Sequence, residues 1–247
     1  MSQAGPRRIL ITGATDGIGM AIARKYAIAG HHVLATGRRP LANPQNLFGD
    51  LDITYVRADQ TEPYRSAVRI EQAVESMKWQ GVDLAIINAG IGWVGDPVEE
   101  TMAGMDAQLA VNLRAPVQIV HSLAERLLAA SGKVVFIGSV AHTGTPRFAT
   151  YAATKAGLHG LARSLREEWR GKADVQMLHP GAVRTGMHAK AGLEIGLGKY
   201  AITGLNRSAN AIMSAIESPV EDITVKRFYI MRHGWRVPKS VRRMEAI

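Results

Sequence analysis

Short apolar runs rich in Val and Ile alternate along the chain with longer stretches in which apolar residues recur every three or four positions. The short runs, at residues 8–12, 32–36, 53–57, 84–88, 133–137, 175–179 and 225–230, have the length and β-branched content of strands. Most are apolar throughout rather than alternating, which predicts strands buried on both faces of a parallel sheet. The longer stretches, at 19–29, 64–79, 102–113, 115–130, 149–170 and 203–217, carry the helical period. Strand and helix in strict alternation predict an α/β fold: a doubly wound parallel sheet of about seven strands, joined by right-handed crossovers, with a ligand at the C-terminal ends of the strands. The stretch 38–52, with Pro40, Asn43, Pro44 and Gly49, reads as a loop, and there are no repeats.

The first strand breaks directly into Thr12-Gly13-Ala14-Thr15-Asp16-Gly17-Ile18-Gly19 and then into a helix. A strand, a glycine turn and a helix start in succession suit an anion: backbone without Cβ atoms approaches closely, and the free N–H groups and positive dipole of the helix attract charge. The spacing is G-x-x-x-G-x-G, a departure from the G-x-G-x-x-G dinucleotide pattern, and a plain tight turn is the alternative for such a stretch taken alone. Further on, Tyr151 and Lys155 stand four residues apart on one helix face. A cation near a phenol favours the phenolate, so this pair is expected to lower the Tyr151 pKa and let it exchange a proton near neutral pH.

Composition narrows the picture. At 247 residues and 47% hydrophobic, the chain can bury one sizeable core, so one domain over residues 1–247 is expected. The absence of cysteine excludes disulfides and thiolate metal sites and suits a reducing compartment. No apolar stretch reaches membrane-spanning length, and cleavage of an N-terminal signal would delete the first strand and glycine turn, so the expected location is the cytoplasm, without membrane contact. The net charge of +9 is concentrated at the C-terminus, where Lys226, Arg227, Arg232, Arg236, Lys239, Arg242 and Arg243 stand against Glu245. A solvated or inter-subunit tail over 231–247 is the expected reading, and with no recognisable nucleic-acid module, nucleic acid is not expected as a partner. No pair of histidines has a spacing typical of a zinc site, so no metal is expected; His31 and His32, adjacent on a strand, would face opposite ways.

Thr12-Gly13-x-x-x-Gly17-Ile18-Gly19, Asn88-Ala89-Gly90, Asn112, Ser139, Tyr151-x-x-x-Lys155 and Pro180-Gly181, in that order and at those separations, resemble the short-chain dehydrogenase/reductase family from about residue 8 to about residue 230. The resemblance implies a Rossmann-like oxidoreductase that moves a hydride between a nicotinamide cofactor and a carbonyl or secondary alcohol. Tyr151 would be the general acid/base, Ser139 would hold the substrate oxygen, Lys155 would depress the Tyr151 pKa and hold a ribose, and Asn112 would link Lys155 to a proton relay through a helix kink and a water. Carried over residue by residue, the cofactor contacts are Gly13, Thr15, Asp16, Gly17, Ile18, Gly19, Asp59 at the adenine, Asn88, Ala89 and Gly90 at a ribose, Tyr151, Lys155, Pro180, Gly181 and Val183, with Thr185 at the carboxamide. A turn residue and a helix N-cap are the alternatives for Asp59 and Thr185.

Cofactor choice turns on Leu34-Ala35-Thr36-Gly37-Arg38-Arg39, where the acidic residue of NAD-using members is missing and Arg38 and Arg39 offer guanidinium groups to the 2′-phosphate of NADP. Asp16 counts against this, because NADP-using relatives often carry a basic residue there. For the substrate, Trp93, His142 and Met187 are pocket candidates, and residues 183–200, rich in glycine, are expected to form a mobile loop over it. His159 is expected to be structural or to lie at a subunit contact. The family implies a homodimer or homotetramer built on helices 115–130 and 149–170. Met231-Arg232-His233-Gly234-Trp235 replaces the Asp-Gly-Gly-like ending of many relatives, which argues against a carrier-protein reductase. Two alternatives remain open: a catalytically silent NADP-sensing regulator on the same fold, and a basic nucleic-acid binder.

Overall fold

Seven strands, β1 (Arg8–Ile11), β2 (His32–Gly37), β3 (Ile53–Arg57), β4 (Leu84–Ile87), β5 (Lys133–Ile137), β6 (Asp174–Pro180) and β7 (Asp222–Val225), form one sheet in this computed structural model, which describes residues 5–181 and 204–225. The order is β3-β2-β1-β4-β5-β6-β7, and every neighbouring pair is parallel. The chain winds outward in one direction from β1 to β3 and in the other from β4 to β7. The strand order therefore reverses between β1 and β4, where a crevice opens at the C-terminal edge of the sheet.

Among the described residues, eight α-helices cover the two faces: α1 (Gly17–Ile28), α2 (Gln45–Phe48), α3 (Pro63–Ser76), α4 (Met102–Leu109), α5 (Ala115–Ser122), α6 (Ala124–Ala129), α7 (Ala149–Glu168) and α8 (Leu205–Ile216). The two-residue period of a strand decides which layer each apolar residue joins. Ile9 and Ile11 pack with Ile22, Tyr26 and Ile212 beneath α1 and α8, while Leu10 between them packs with Ile70, Ile119, Phe136 and Leu158 beneath α3, α5 and α7. Both faces are buried, which is why the strands are apolar throughout rather than alternating.

Several boundaries differ from the sequence pattern. The last strand starts at Asp222 rather than Val225, because the Asp222 carboxylate, a residue type that ordinarily ends a strand pattern, is held by the Arg166 guanidinium at 2.9 Å. The expected helix 102–113 passes after Leu109 into a π-helical turn, Ala110–Arg114, and 115–130 divides at Leu123, which leaves the helical region at φ −98°, ψ 2°. The loop 38–52 contains the short helix α2. His31 precedes β2 instead of sharing it, and its Nδ1 accepts the backbone N–H of Arg7.

Candidate active site

On the β1 side of the crevice, close packing of backbone sets the geometry. The buried Thr12 hydroxyl accepts the backbone N–H groups of Asn88 (3.0 Å) and Ala89 (3.1 Å), and the Asn88 amide donates to the carbonyls of Thr12 (2.9 Å) and Gly13 (3.2 Å). The ends of β1 and β4 are thereby clamped together. Gly13 and Gly17 take φ of +65° and +54°, a region that residues with a Cβ rarely adopt. A Cβ on Gly19 would stand 2.4 Å from the Gly13 carbonyl oxygen and 2.5 Å from the Asn88 amide, so α1 starts this close to the turn only because Gly19 lacks one. Asp16 caps α1 by accepting the Gly17 N–H, which gives this carboxylate a structural role in the turn.

Gly37, at the end of β2, packs against the Thr15 side chain, and the Arg39 guanidinium donates to the Thr15 carbonyl, so Arg39 lies over the glycine turn. The Arg38 carbonyl accepts from Arg57, while among the described residues its guanidinium makes no hydrogen bond or ion pair. Asp59 accepts from the Thr61 N–H (3.0 Å) and hydroxyl (2.8 Å), the bonding of a turn residue.

On the other side, β5 delivers Ser139 and α7 delivers Tyr151 and Lys155. Ser139 caps the short 3₁₀ turn Val140–Thr143 through a bond from the Ala141 N–H. Tyr151 is 8% exposed and Lys155 3%, on one face of α7 as their spacing requires. The Tyr151 ring lies along Gly92, where a Cβ would approach it to 3.2 Å. Lys155 Nζ donates to the Ile137 carbonyl at 3.0 Å and stands 5.7 Å from the Tyr151 ring centroid. Asn112 occupies the π turn, which rotates its side chain inward: its Oδ1 accepts the Ile91 N–H (2.9 Å), and its Nδ2 donates to the Ile91 carbonyl (2.8 Å) and to Thr154 Oγ1 (3.1 Å). Around Gly90, a Cβ would meet Asn112 Oδ1 and Lys155 Nζ, each at 3.4 Å.

The electrostatics differ from the expectation drawn from spacing. Burial pushes the Tyr151 hydroxyl above the ordinary phenol value, and the group that opposes this is the neighbouring Ser139 side chain rather than Lys155. Lys155 is itself pushed down to about 8 by burial, with its ammonium directed at the Ile137 carbonyl. Helical spacing placed the two residues on one face, but burial of both groups, which spacing does not report, dominates their proton affinities.

Residues 7–195 match the short chain dehydrogenase family. The protein is a short-chain dehydrogenase/reductase. Over 185 residues it is 31% identical to the 3-oxoacyl-[acyl-carrier-protein] reductase MabA of Mycobacterium tuberculosis, covering 73% of this chain and 71% of that one. It is 29% identical to the cyclic-di-GMP-binding biofilm dispersal mediator protein of Escherichia coli, over 72% of this chain and 74% of that protein. A solved short-chain dehydrogenase from Burkholderia cenocepacia in complex with NADP superposes with a TM-score of 0.78 at 25% identity, covering 91% of this chain and 98% of the other.

In this family member, Gly181 follows the end of β6 and its N–H bonds to the Val225 carbonyl at 3.1 Å. Val183, Thr185, Met187, the loop 183–200 and the basic tail lie outside the described residues. Trp93 folds its ring over Gly95, where a Cβ would stand 2.5 Å from it. His142, from the 3₁₀ turn, His159, from α7, and His179, from β6, meet beside Ser139 with ring nitrogens within 4.8 Å of one another. Pairwise spacing could not disclose this trio, because three separate elements contribute to it. It does not form a ready metal site: His142 and His179 stack with centroids 3.8 Å apart and planes 23° from parallel, so their in-plane lone pairs run side by side instead of converging on one ion.

Proposed function

We propose that the protein exchanges a hydride between NADP(H) and the carbonyl or secondary alcohol of a small organic substrate. The observation that carries this reading is the convergence of Ser139, Tyr151 and Lys155, from two elements, on one crevice edge beside Gly90 and Gly92. A nicotinamide cofactor fits the residues present, since the start of α1 and the cramped glycine turn offer backbone to its diphosphate, and when bound it would supply or accept the hydride. The side chains handle the oxygen and its proton. In reduction, the Ser139 hydroxyl donates a hydrogen bond to the substrate oxygen as negative charge develops there, and the Tyr151 hydroxyl gives that oxygen its proton. In oxidation the proton returns along the same path. Lys155, fixed on the Ile137 carbonyl, places a cation beside the pair, and Asn112 braces the Ile91 segment against α7 through Thr154.

NADP is favoured over NAD by the absence of a carboxylate at the end of β2 and by Arg38 and Arg39 there, with Arg39 laid against Thr15. The NADP complex of the Burkholderia cenocepacia relative supports the same choice. The intact proton-handling set favours an enzyme over a cofactor-sensing regulator. A homodimer or homotetramer through α5, α6 and α7 and a reducing cytoplasm for the cysteine-free chain complete the reading. A screen of ketones, aldehydes and alcohols with both nicotinamide cofactors, followed at the reduced-nicotinamide absorbance band, tests it. Turnover with NADPH is expected; tight cofactor binding with no turnover of any class favours the regulator.

A further inference from the structure

Ser139 is held from two directions. Its side chain lies beside the Tyr151 phenol and opposes the rise that burial causes there, while its carbonyl oxygen meets Nδ1 of His142 at 2.8 Å and Nδ1 of His179 at 3.2 Å. A carbonyl oxygen only accepts, so each imidazole must carry a proton on Nδ1. We propose that His179, with His142 stacked upon it, is a positioning residue of this site: their two Nδ1–H groups pin the Ser139 peptide and thereby aim its hydroxyl at Tyr151.

Three observations support this. His179 is fully buried, and among the described residues its Nε2 has no hydrogen-bond partner, so on stability grounds the position suits an apolar side chain and the bond to Ser139 is what the ring contributes. Burial beside the other imidazoles and Lys155 pushes His179 down to about 3, which keeps the ring neutral and its Nδ1–H in place across the working range of pH. Gly138 is the residue that admits the ring: a Cβ there would stand 2.9 Å from His179 Nδ1. His159 closes the stack from its edge, with centroids 5.2 Å from both rings, and its Nε2 stands 3.6 Å from an Asp222 carboxylate that is itself held by Arg166.

The inference rests on reading Ser139 and Tyr151 as the proton-handling pair, and its test is chosen to stand apart from turnover. NMR of protein labelled at the tyrosine ζ-carbon, with Tyr151→Phe to assign the resonance, follows the hydrogen bond and ionisation of Tyr151 with no substrate. His179→Leu is expected to move that resonance and raise the ionisation midpoint, with folded stability kept. His179→Asn, whose amide Nδ2–H can replace Nδ1–H, restores the wild-type signal. His142→Leu, on a half-buried turn, gives a smaller shift in the same direction and carries the test if His179→Leu does not fold. With the best carbonyl probe from the screen, His179→Leu lowers kcat about tenfold with KM little changed. A wild-type Tyr151 signal in the folded leucine variants overturns the proposal. If no probe is turned over, the resonance still decides it, so failure of the redox reading is distinguishable from failure of this one.

Discussion

On the α1 side of the crevice, Gly13, Gly17 and Gly19 set the shape through atoms they lack, and the polar contacts run between backbone groups, Thr12 and Asn88. On the α7 side, the buried Tyr151, Lys155 and Asn112 set it together with the half-buried Ser139, and the proton affinities of Tyr151 and Lys155 move because those two groups are buried. The first side is therefore vulnerable to added volume and largely indifferent to pH. On the proposed reading, the second should tolerate apolar replacement in terms of stability and lose its chemistry when a charge or a hydrogen bond is removed. The proposed binding and proton-transfer roles should thus be separable by mutation.

The largest effect is expected on the α1 side. Gly19→Ala sets a methyl against the Gly13 carbonyl and the Asn88 amide, and should cost about 3 kcal/mol of stability together with most NADPH affinity. Denaturant unfolding and cofactor fluorescence measure both, and a stable variant with intact binding would break the contrast. Next is Lys155→Met. The Lys155 pKa falls from 10.5 to about 8 on folding, so the unfolded chain holds the proton more tightly and the ammonium destabilises the fold below pH 8. Methionine should raise stability at pH 7 by roughly 2 kcal/mol after the lost bond to Ile137 is counted, and the gain should fade between pH 8 and 10.5. Turnover should fall at the same time, and melting curves across that range test the sign.

A smaller effect sharpens the α1 side. Arg38→Asp should weaken NADPH about tenfold more than NADH, since a carboxylate repels the 2′-phosphate, and equal losses in titrations of both cofactors contradict that assignment. The smallest effect lies at the opposite edge of the sheet. The Arg8 guanidinium grips Asp83 at 2.9 Å through two bonds and holds its carboxyl below the usual range, so this stability is present above pH 3.8 and lost as pH falls through the depressed value. Asp83→Asn should cost about 1 kcal/mol at pH 7, less in strong acid, and leave binding and turnover unchanged. A change in either would show that the crevice is coupled to that distant edge.

The two sides were also unequally legible. The α1 side is local: a strand, three glycines and a helix lie in one short stretch, and the structure follows them nearly residue for residue. The apolar strands were readable for the same reason, since burial on both faces leaves its mark on consecutive residues. On the α7 side, spacing placed Tyr151 and Lys155 on one helix face, but the direction in which burial moves their proton affinities depends on distant packing. The π turn at Asn112, the Asp222 that opens β7 and the histidine trio arise from contacts between elements far apart in sequence, for which no single stretch of chain carries a signal.

The account rests on Tyr151 as the group that moves the proton, and Tyr151→Phe tests this most directly when NADPH binding and turnover are measured on the same preparation. The phenyl ring retains the packing against Gly92 and removes only the hydroxyl, so NADPH affinity should stay within about twofold while turnover falls by at least roughly a hundredfold. Turnover close to wild type in that variant would contradict the account.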